Sequence, residues 1–281
     1  MWCGPPRRGG VSSSSDLGVD ASPFDLPGRS GRADSAALCL HGLTGTPYEV
    51  RPLGAALAAR GIRALGPALP GHNDTPGALA ATTHRDWLEA ARSHLRALRA
   101  DHARVFVVGL SMGGLLTLQL AAEAGADAVV TVATPLRLRG VVPRIVPWLK
   151  YLVPFPKKRG SDIRDPQARR RHPGYRVMPL RSVHELMRLQ AQVRPQLERV
   201  RCPILVAHGV HDRTADPADA RSIIEQVSSD RPELLWLESS GHVVPVDRDG
   251  PALARATAEF LIRQGSGTPG SLRGRFFPET R

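Results

Sequence analysis

Gly109-Leu110-Ser111-Met112-Gly113 matches the pattern G-x-S-x-G, directly after the apolar run Val105-Phe106-Val107-Val108 and ahead of a helical stretch. Between a strand and a helix, this pattern puts a serine hydroxyl on a sharp turn, exposed above the strand end, where it can act as a nucleophile. The turn is strained, and the glycines at 109 and 113 leave room for it. Ser111 would then stand at the N-terminus of the next helix. Unpaired N–H groups and the helix dipole favour a developing oxyanion there. The chemistry that fits is acyl transfer through an acyl-serine.

A serine hydroxyl is a weak nucleophile, so it needs a base and a group that orients the base. Asp212 ends the run Ala207-His208-Gly209-Val210-His211-Asp212, in the loop after an apolar strand. His242 follows Ser239-Ser240-Gly241, just past the strand at 234–237. The order Ser…Asp…His is the one expected when a G-x-S-x-G turn joins strand and helix. His242 would remove the Ser111 proton, Asp212 would fix the imidazole tautomer, and water activated by His242 would release the acyl group. His242 is chosen from ten histidines for its late position, its preceding glycine and its strand end. His208 and His211 read as solvated or structural, and His72, in Pro70-Gly71-His72-Asn73, as holding a loop. Among rival acids, Asp216 reads as a helix cap, Asp219 lies in that same helix, and Asp247 and Asp249 fall beyond His242.

The acyl oxygen also needs donors. One is the backbone N–H of Met112, directly after the nucleophile; the other candidate is that of Leu43, in His41-Gly42-Leu43-Thr44-Gly45. Such a donor lowers the barrier by roughly 3 kcal/mol. His41 reads as an anchor of this loop.

These residues need a scaffold. Ala36–Leu40, Ile62–Leu69, Val105–Leu110, Ala128–Ala133, Pro203–Ala207 and Glu233–Leu237 read as strands. Helical stretches alternate with them: 49–60, 83–100, 111–124, 215–227 and 251–264. In the second of these, Trp87, Leu88, Ala91, Leu95 and Leu98 share one side. Strands apolar on both faces and alternating with helices imply a parallel sheet covered on both sides. The rhythm breaks once. Residues 135–197 carry prolines at 135, 143, 147, 154 and 156, then a basic run, then a helical segment at 182–196. This stretch reads as a cap inserted into the domain. Within it, Leu138 to Pro156 is apolar but proline-broken, so a long regular helix is not expected.

The 281 residues suit one large α/β domain with an insertion, and 42% hydrophobic residues suffice for its core. The expected layout is a mobile leader at 1–34, a domain at 35–264 with its cap at about 135–197, and a tail at 265–281. No run of 18 apolar residues suggests a spanning helix. Arg7 and Arg8 are followed by no apolar region, so a secretory signal is not expected. Cys3, Cys39 and Cys202 show neither metal-ligand spacing nor a disulfide framework, which points to a reducing, cytoplasmic setting. His208, His211 and Asp212 could imitate a metal-ligand cluster, but a triad accounts for the aspartate without metal.

The formal charge is +12, yet residues 137–181 hold thirteen Lys or Arg against two Asp, a balance of +11. The excess therefore belongs to the cap and not to the whole surface. No recognition helix, aromatic RNA-binding motif or zinc spacing accompanies it, so nucleic acid is not an expected partner. Anionic lipid is the alternative: the apolar stretch could enter an interface while the basic runs 157–159 and 169–171 meet head groups.

The motifs together resemble the bacterial carboxylesterase and monoacylglycerol lipase branch of the α/β-hydrolases. The likeness runs from about Pro23 to Gln264 and is carried by His41–Pro47, Pro70-Gly71-His72, Thr83–Trp87, Gly109–Gly114, His208–Asp212 and Gly241-His242-Val243. The resemblance implies an eight-stranded, mostly parallel sheet, a small cap after strand six and no cofactor. It also implies ester substrates with short to medium acyl chains, monoacylglycerols included. Lysophospholipase, thioesterase and C–C hydrolase activities need the same triad. Trp148, Leu149 and Leu152 are the candidates to line the acyl chain. Asn73 departs from the branch, standing where a third glycine is common, and the cap is unusually basic and proline-rich.

Overall fold

Val105, Phe106, Val107 and Val108 have no polar side chain for either face to show to water, and strand β4 (Arg104–Leu110) is buried from its second residue onward. Burial is as complete in β2 (Ser35–Leu40) past its first residue, and in β5 (Ala128–Val132) and β6 (Ile204–Gly209), which enclose Thr131 and His208 as well. The computed structural model describes residues 18–28, 34–138, 140, 142–158 and 160–265. Within them β1 (Phe24–Leu26), β3 (Arg63–Gly66) and β7 (Glu233–Leu237) complete a seven-stranded sheet of order β1-β3-β2-β4-β5-β6-β7. All neighbours pair in parallel except β1, which runs antiparallel to β3 at the edge.

Alternation along the strands divides the core in two. Leu38, Leu40, Val107, Val129 and Val206 face one layer of helices: α3 (His84–Asp101), α4 (Met112–Ala122), α7 (Leu180–Val193) and α8 (Ala218–Gln226). Ala37, Cys39, Phe106, Val108 and Val130 face α1 (Arg51–Ala58) and α9 (Gly250–Gly265) on the other side. Burying α4 completely matches its composition, which has no charged residue on any side. Helix α3 instead buries only its apolar stripe, and Thr83 and Asp86 close its N-terminus with a reciprocal capping box. The short α2 (Pro76–Ala81) follows the Pro70–Asn73 loop, where Asn73 takes φ 58°, a left-handed conformation that asparagine tolerates.

Two expectations change. Seven strands are described instead of eight, so the insertion expected after the sixth strand follows the fifth, β5. The expected leader contains β1: Phe24 turns inward and is buried while Asp25 turns outward, which is the two-residue period of an edge strand. The rest of that leader's expectation falls on residues 1–17 and 29–33, and the expected tail on 266–281, outside the described residues; Gly265 itself ends α9. Within the proline-rich stretch a helix of 11 residues forms, α5 (Val142–Leu152), shorter than the stretch itself and with a proline inside it. Pro143 falls in its first turn, where an N–H has no partner to lose, so only Pro147 costs an internal hydrogen bond. The insertion adds α6 (Pro166–Arg171) and ends with α7 against the sheet layer.

Candidate active site

Ser111 has φ 56° and ψ −114°, a strained backbone for a side-chain-bearing residue. The strain is held by close packing. A Cβ on Gly109 would stand 2.1 Å from the Gly113 carbonyl oxygen, so the turn admits no larger residue there. The Ser111 N–H donates to Val132 O of β5 at 2.8 Å, tying the turn to the neighbouring strand. This geometry lifts the hydroxyl off the C-terminal end of β4.

Two loops from β6 and β7 meet it. His242 Nε2 lies 2.9 Å from Ser111 Oγ, and Nδ1 lies 2.8 Å from Asp212 Oδ2. Asp212 Oδ1 accepts the Thr214 and Ala215 N–H groups, each at 2.8 Å, so the carboxylate plane is fixed. Burial alone would raise the Asp212 carboxyl, but His242, together with the nearby His208 ring, outweighs it and holds the group below the usual carboxylate range. An ionised carboxylate only accepts, so Nδ1 carries the imidazole proton and Nε2 is free to take the serine's. Burial likewise penalises the His242 imidazolium; facing Asp212 overcomes this and leaves its pKa raised. The arrangement can take a proton from Ser111 and stabilise the imidazolium that results.

The rival residues have other employment. His41 Nε2 accepts the Leu69 N–H at 3.1 Å and Nδ1 lies 3.0 Å from Gly42 O, so the ring bridges two loops. His72 Nδ1 faces Pro70 O at 3.1 Å, and the ring packs edge-on against His41 and Trp87. His208 Nε2 comes within 3.0 Å of Asp212 Oδ2, but without the alignment of a hydrogen bond. Asp216 Oδ1 accepts the Ala218 N–H at the start of α8, and Asp219 accepts that of Leu136. Asp247 accepts from Gly241, and Asp249 from Ser239, in the loop that carries His242.

The loop after β2 brings Gly42 against the nucleophile: a Cβ there would lie 3.4 Å from Ser111 Cβ. Among the described residues the N–H groups of Leu43 and Met112 donate to no protein acceptor, which leaves both available to an oxyanion.

Of the three acyl-chain candidates, only Leu149 packs inward, with Val146, Leu180, Val183 and Leu43. Trp148 and Leu152 are 77% and 80% exposed. The physical reason is the helical period. Residues 145, 148 and 152 share one face of α5, and 146 and 149 share the face that meets α7.

Sequence reasoning missed three contributors to the site. Asp162, in the insertion, accepts the His242 N–H through its backbone oxygen at 2.9 Å and the Arg213 N–H through Oδ2 at 2.7 Å, joining the base loop to the acid loop. Glu49 accepts the Gly42 N–H at 3.1 Å, and His172 Nε2 faces the same carboxylate at 2.9 Å. None of the three belongs to a motif, and the only sequence signal was a charged residue beside a glycine-rich loop.

The Hydrolase_4 family model, described as serine aminopeptidase, S33, matches residues 31–249. A thermostable monoacylglycerol lipase of Bacillus sp. (strain H-257) is 33% identical over 229 residues, covering 80% of this chain and 90% of the relative. A carboxylesterase of Bacillus subtilis (strain 168) is 28% identical over 244 residues, covering 86% and 97%. A solved structure from work on LipS and LipT, two metagenome-derived lipolytic enzymes, superposes with a TM-score of 0.81 at 28% identity, covering 86% of this chain and 98% of the other. With the family model matched across most of the described sheet, the chain belongs to the Hydrolase_4 (serine aminopeptidase, S33) family of α/β-hydrolases and resembles bacterial carboxylesterases and monoacylglycerol lipases.

Proposed function

We propose that this chain hydrolyses carboxylic esters through an acyl-enzyme on Ser111. His242 acts as base and then acid, Asp212 orients it, and the N–H groups of Leu43 and Met112 hold the oxyanion. The observation that carries this reading is the continuous chain from Ser111 Oγ through His242 to Asp212, at 2.9 and 2.8 Å. Attack forms the Ser111 Oγ–acyl bond as the proton passes to Nε2; collapse returns that proton to the leaving alcohol. A water molecule then repeats the sequence and frees the acid. No cofactor is required.

Short to medium acyl chains, monoacylglycerols among them, are the proposed substrates, because two relatives carry the names carboxylesterase and monoacylglycerol lipase. Leu149 and its neighbours around Leu43 offer the acyl chain an apolar wall. The family's description favours a second reading, cleavage of an aminoacyl amide by the same triad. We also assign a cytoplasmic setting, and a contact between the exposed face of α5 and anionic lipid.

The test is one panel: p-nitrophenyl esters of graded chain length, a monoacylglycerol, a lysophospholipid, an acyl thioester and an aminoacyl anilide. The expected result is turnover greatest on short to medium esters, with Ser111→Ala lowering kcat by about a million-fold. Turnover of the anilide or thioester with no ester hydrolysis overturns the reading. So does full ester turnover by folded Ser111→Ala.

A further inference from the structure

The Glu49 carboxylate is buried beneath the loop that carries Leu43, with Glu49 and His172 side chains 5% and 2% exposed. The loop wraps it closely: a Cβ on Gly45 would stand 2.2 Å from Glu49 Oε2. Oε2 accepts the Gly42 N–H at 3.1 Å. The Gly42 carbonyl is held as well, by the Gly45 N–H at 3.1 Å and by His41 Nδ1 at 3.0 Å. His41 Nε2 is an acceptor here, so Nδ1 bears the proton that meets this carbonyl. A planar trans peptide points its N–H opposite its C=O. Holding the Gly42 carbonyl therefore aims the Leu43 N–H the other way.

A buried carboxylate near the place where an oxyanion develops opposes that charge unless it is balanced. The balance comes from the insertion, not from the sheet. His172 Nε2 lies 2.9 Å from Glu49 Oε1, and Ser161 Oγ steadies the ring at 2.7 Å from Nδ1. Lys158 Nζ donates to Thr44 Oγ1 in the same loop at 2.9 Å. Burial penalises the Glu49 charge, yet His172, His41 and the Gly42 N–H together hold its pKa down to about 2. Burial pushes the Lys158 amine below its usual range, against the opposing pull of Glu49.

We propose that Glu49 is a positioning residue of the oxyanion hole, and that His172 of the insertion keeps it in place while Lys158 ties down Thr44 of the same loop, so that the docked insertion completes the hole. This rests on reading Leu43 N–H as an oxyanion donor.

The test pairs kinetics on a small soluble ester with hydrogen exchange at the Gly42 and Leu43 amides. Glu49→Ala should lower kcat about a hundredfold with KM within about twofold, the pattern of a displaced catalytic group. Glu49→Gln, which keeps an oxygen for the Gly42 N–H, should lose a smaller factor, about three- to tenfold. His172→Ala, 123 residues away in sequence, should lower kcat about tenfold. Adding it to Glu49→Ala should cost little more, because both act through one contact. Gly42 N–H protection should fall in Glu49→Ala and in His172→Ala. Wild-type kcat in folded His172→Ala and Glu49→Gln overturns the proposal, as do additive losses or an unchanged Gly42 exchange rate. If Glu49→Ala does not fold, Glu49→Gln and His172→Ala decide. Should the wild-type protein cleave no ester, the ester reading fails, while the exchange experiment still reports whether His172 holds the loop.

Discussion

Strand β4 and helix α5 are both apolar runs, yet they end in opposite surroundings. Every residue of β4 from Val105 to Leu110 is buried, because helices cover the sheet on both faces. Among the described residues helix α5 is covered on one side, chiefly by α7, so Val146 and Leu149 pack while Ile145, Trp148 and Leu152 stay in solvent. Apolar sequence gives a segment the capacity to be buried; the number of neighbours decides how much of it is. The difference matters for chemistry. Ser111 rides on the region covered from both sides, where a catalytic group misplaced by about 0.5 Å would be felt. Helix α5 is covered on one side only, and the side chains on its other face are free to vary.

If the covered sheet alone carries the chemistry, the largest effects lie at its strand ends. His242→Ala should lower kcat about a million-fold, and combining it with Ser111→Ala should cost almost nothing further, because the two act as one unit. Single-turnover rates of the two single variants and the double variant check this. A double variant far slower than either single one would separate His242 from Ser111.

Asp212→Asn should come next, at about ten-thousand-fold in kcat. It also carries a pH signature. Turnover needs neutral His242, whose pKa Asp212 raises above the ordinary 6.5. The acid limb of kcat/KM should therefore lie above pH 6.5 in the wild type. In Asp212→Asn the burial penalty loses its strongest opponent, with only the more weakly acting Asp162 and Glu49 left against it, so the limb should move to lower pH. An unmoved limb would assign it to another group.

Stability draws the comparison directly. Phe106→Ala removes a fully buried ring and should cost about 3–5 kcal/mol. Trp148→Ala removes the larger ring but from solvent, and should stay within about 0.5 kcal/mol. Urea unfolding of both measures the contrast, and a large loss at Trp148 would mean that its face is covered in solution.

The same contrast explains what the sequence disclosed. Ser111 sits directly after the buried β4, while Asp212 and His242 lie in the loops that follow β6 and β7, and a run such as Val105-Phe106-Val107-Val108 announces its strand through local pattern alone. Glu49 and His172 meet across 123 residues, and no period or motif links them. Asp162 acts partly through its backbone oxygen, which any residue could supply. β1 was hidden by its length: Phe24-Asp25-Leu26 holds one full alternation, too little to stand out from the polar residues around it. In α5 the prolines obscured the helix, since one of them occupies a first-turn position where proline is tolerated.

The smallest effect on the purified enzyme, and the one that bears on the exposed half of the comparison, concerns lipid. Ile145, Trp148 and Leu152 form one apolar face of α5, and Tyr151 beside it lies under two cations, Lys150 at 5.0 Å and Arg181 at 6.0 Å from the ring centre. An apolar face edged by cations is the composition of an interfacial anchor. The basic run Arg169–Arg171 lies on α6, a separate helix, so the cations placed to meet head groups beside this face are Lys150 and Arg181. The wild-type protein should co-sediment with vesicles containing phosphatidylserine and less with phosphatidylcholine alone. Salt should weaken the binding, because exposed charges are screened within about 8 Å at physiological ionic strength. Each basic residue at such a surface contributes about 1 kcal/mol, so Lys150→Gln with Arg181→Gln should weaken binding about thirtyfold. Trp148→Ser with Leu152→Ser should weaken it on both lipids, since that loss is apolar and indifferent to head-group charge. None of these four substitutions touches the triad, so hydrolysis of a small soluble ester should hold within about twofold of wild type. Indifference of the wild-type protein to anionic vesicles at low salt would end the lipid assignment and leave this face of α5 as plain solvent-exposed surface.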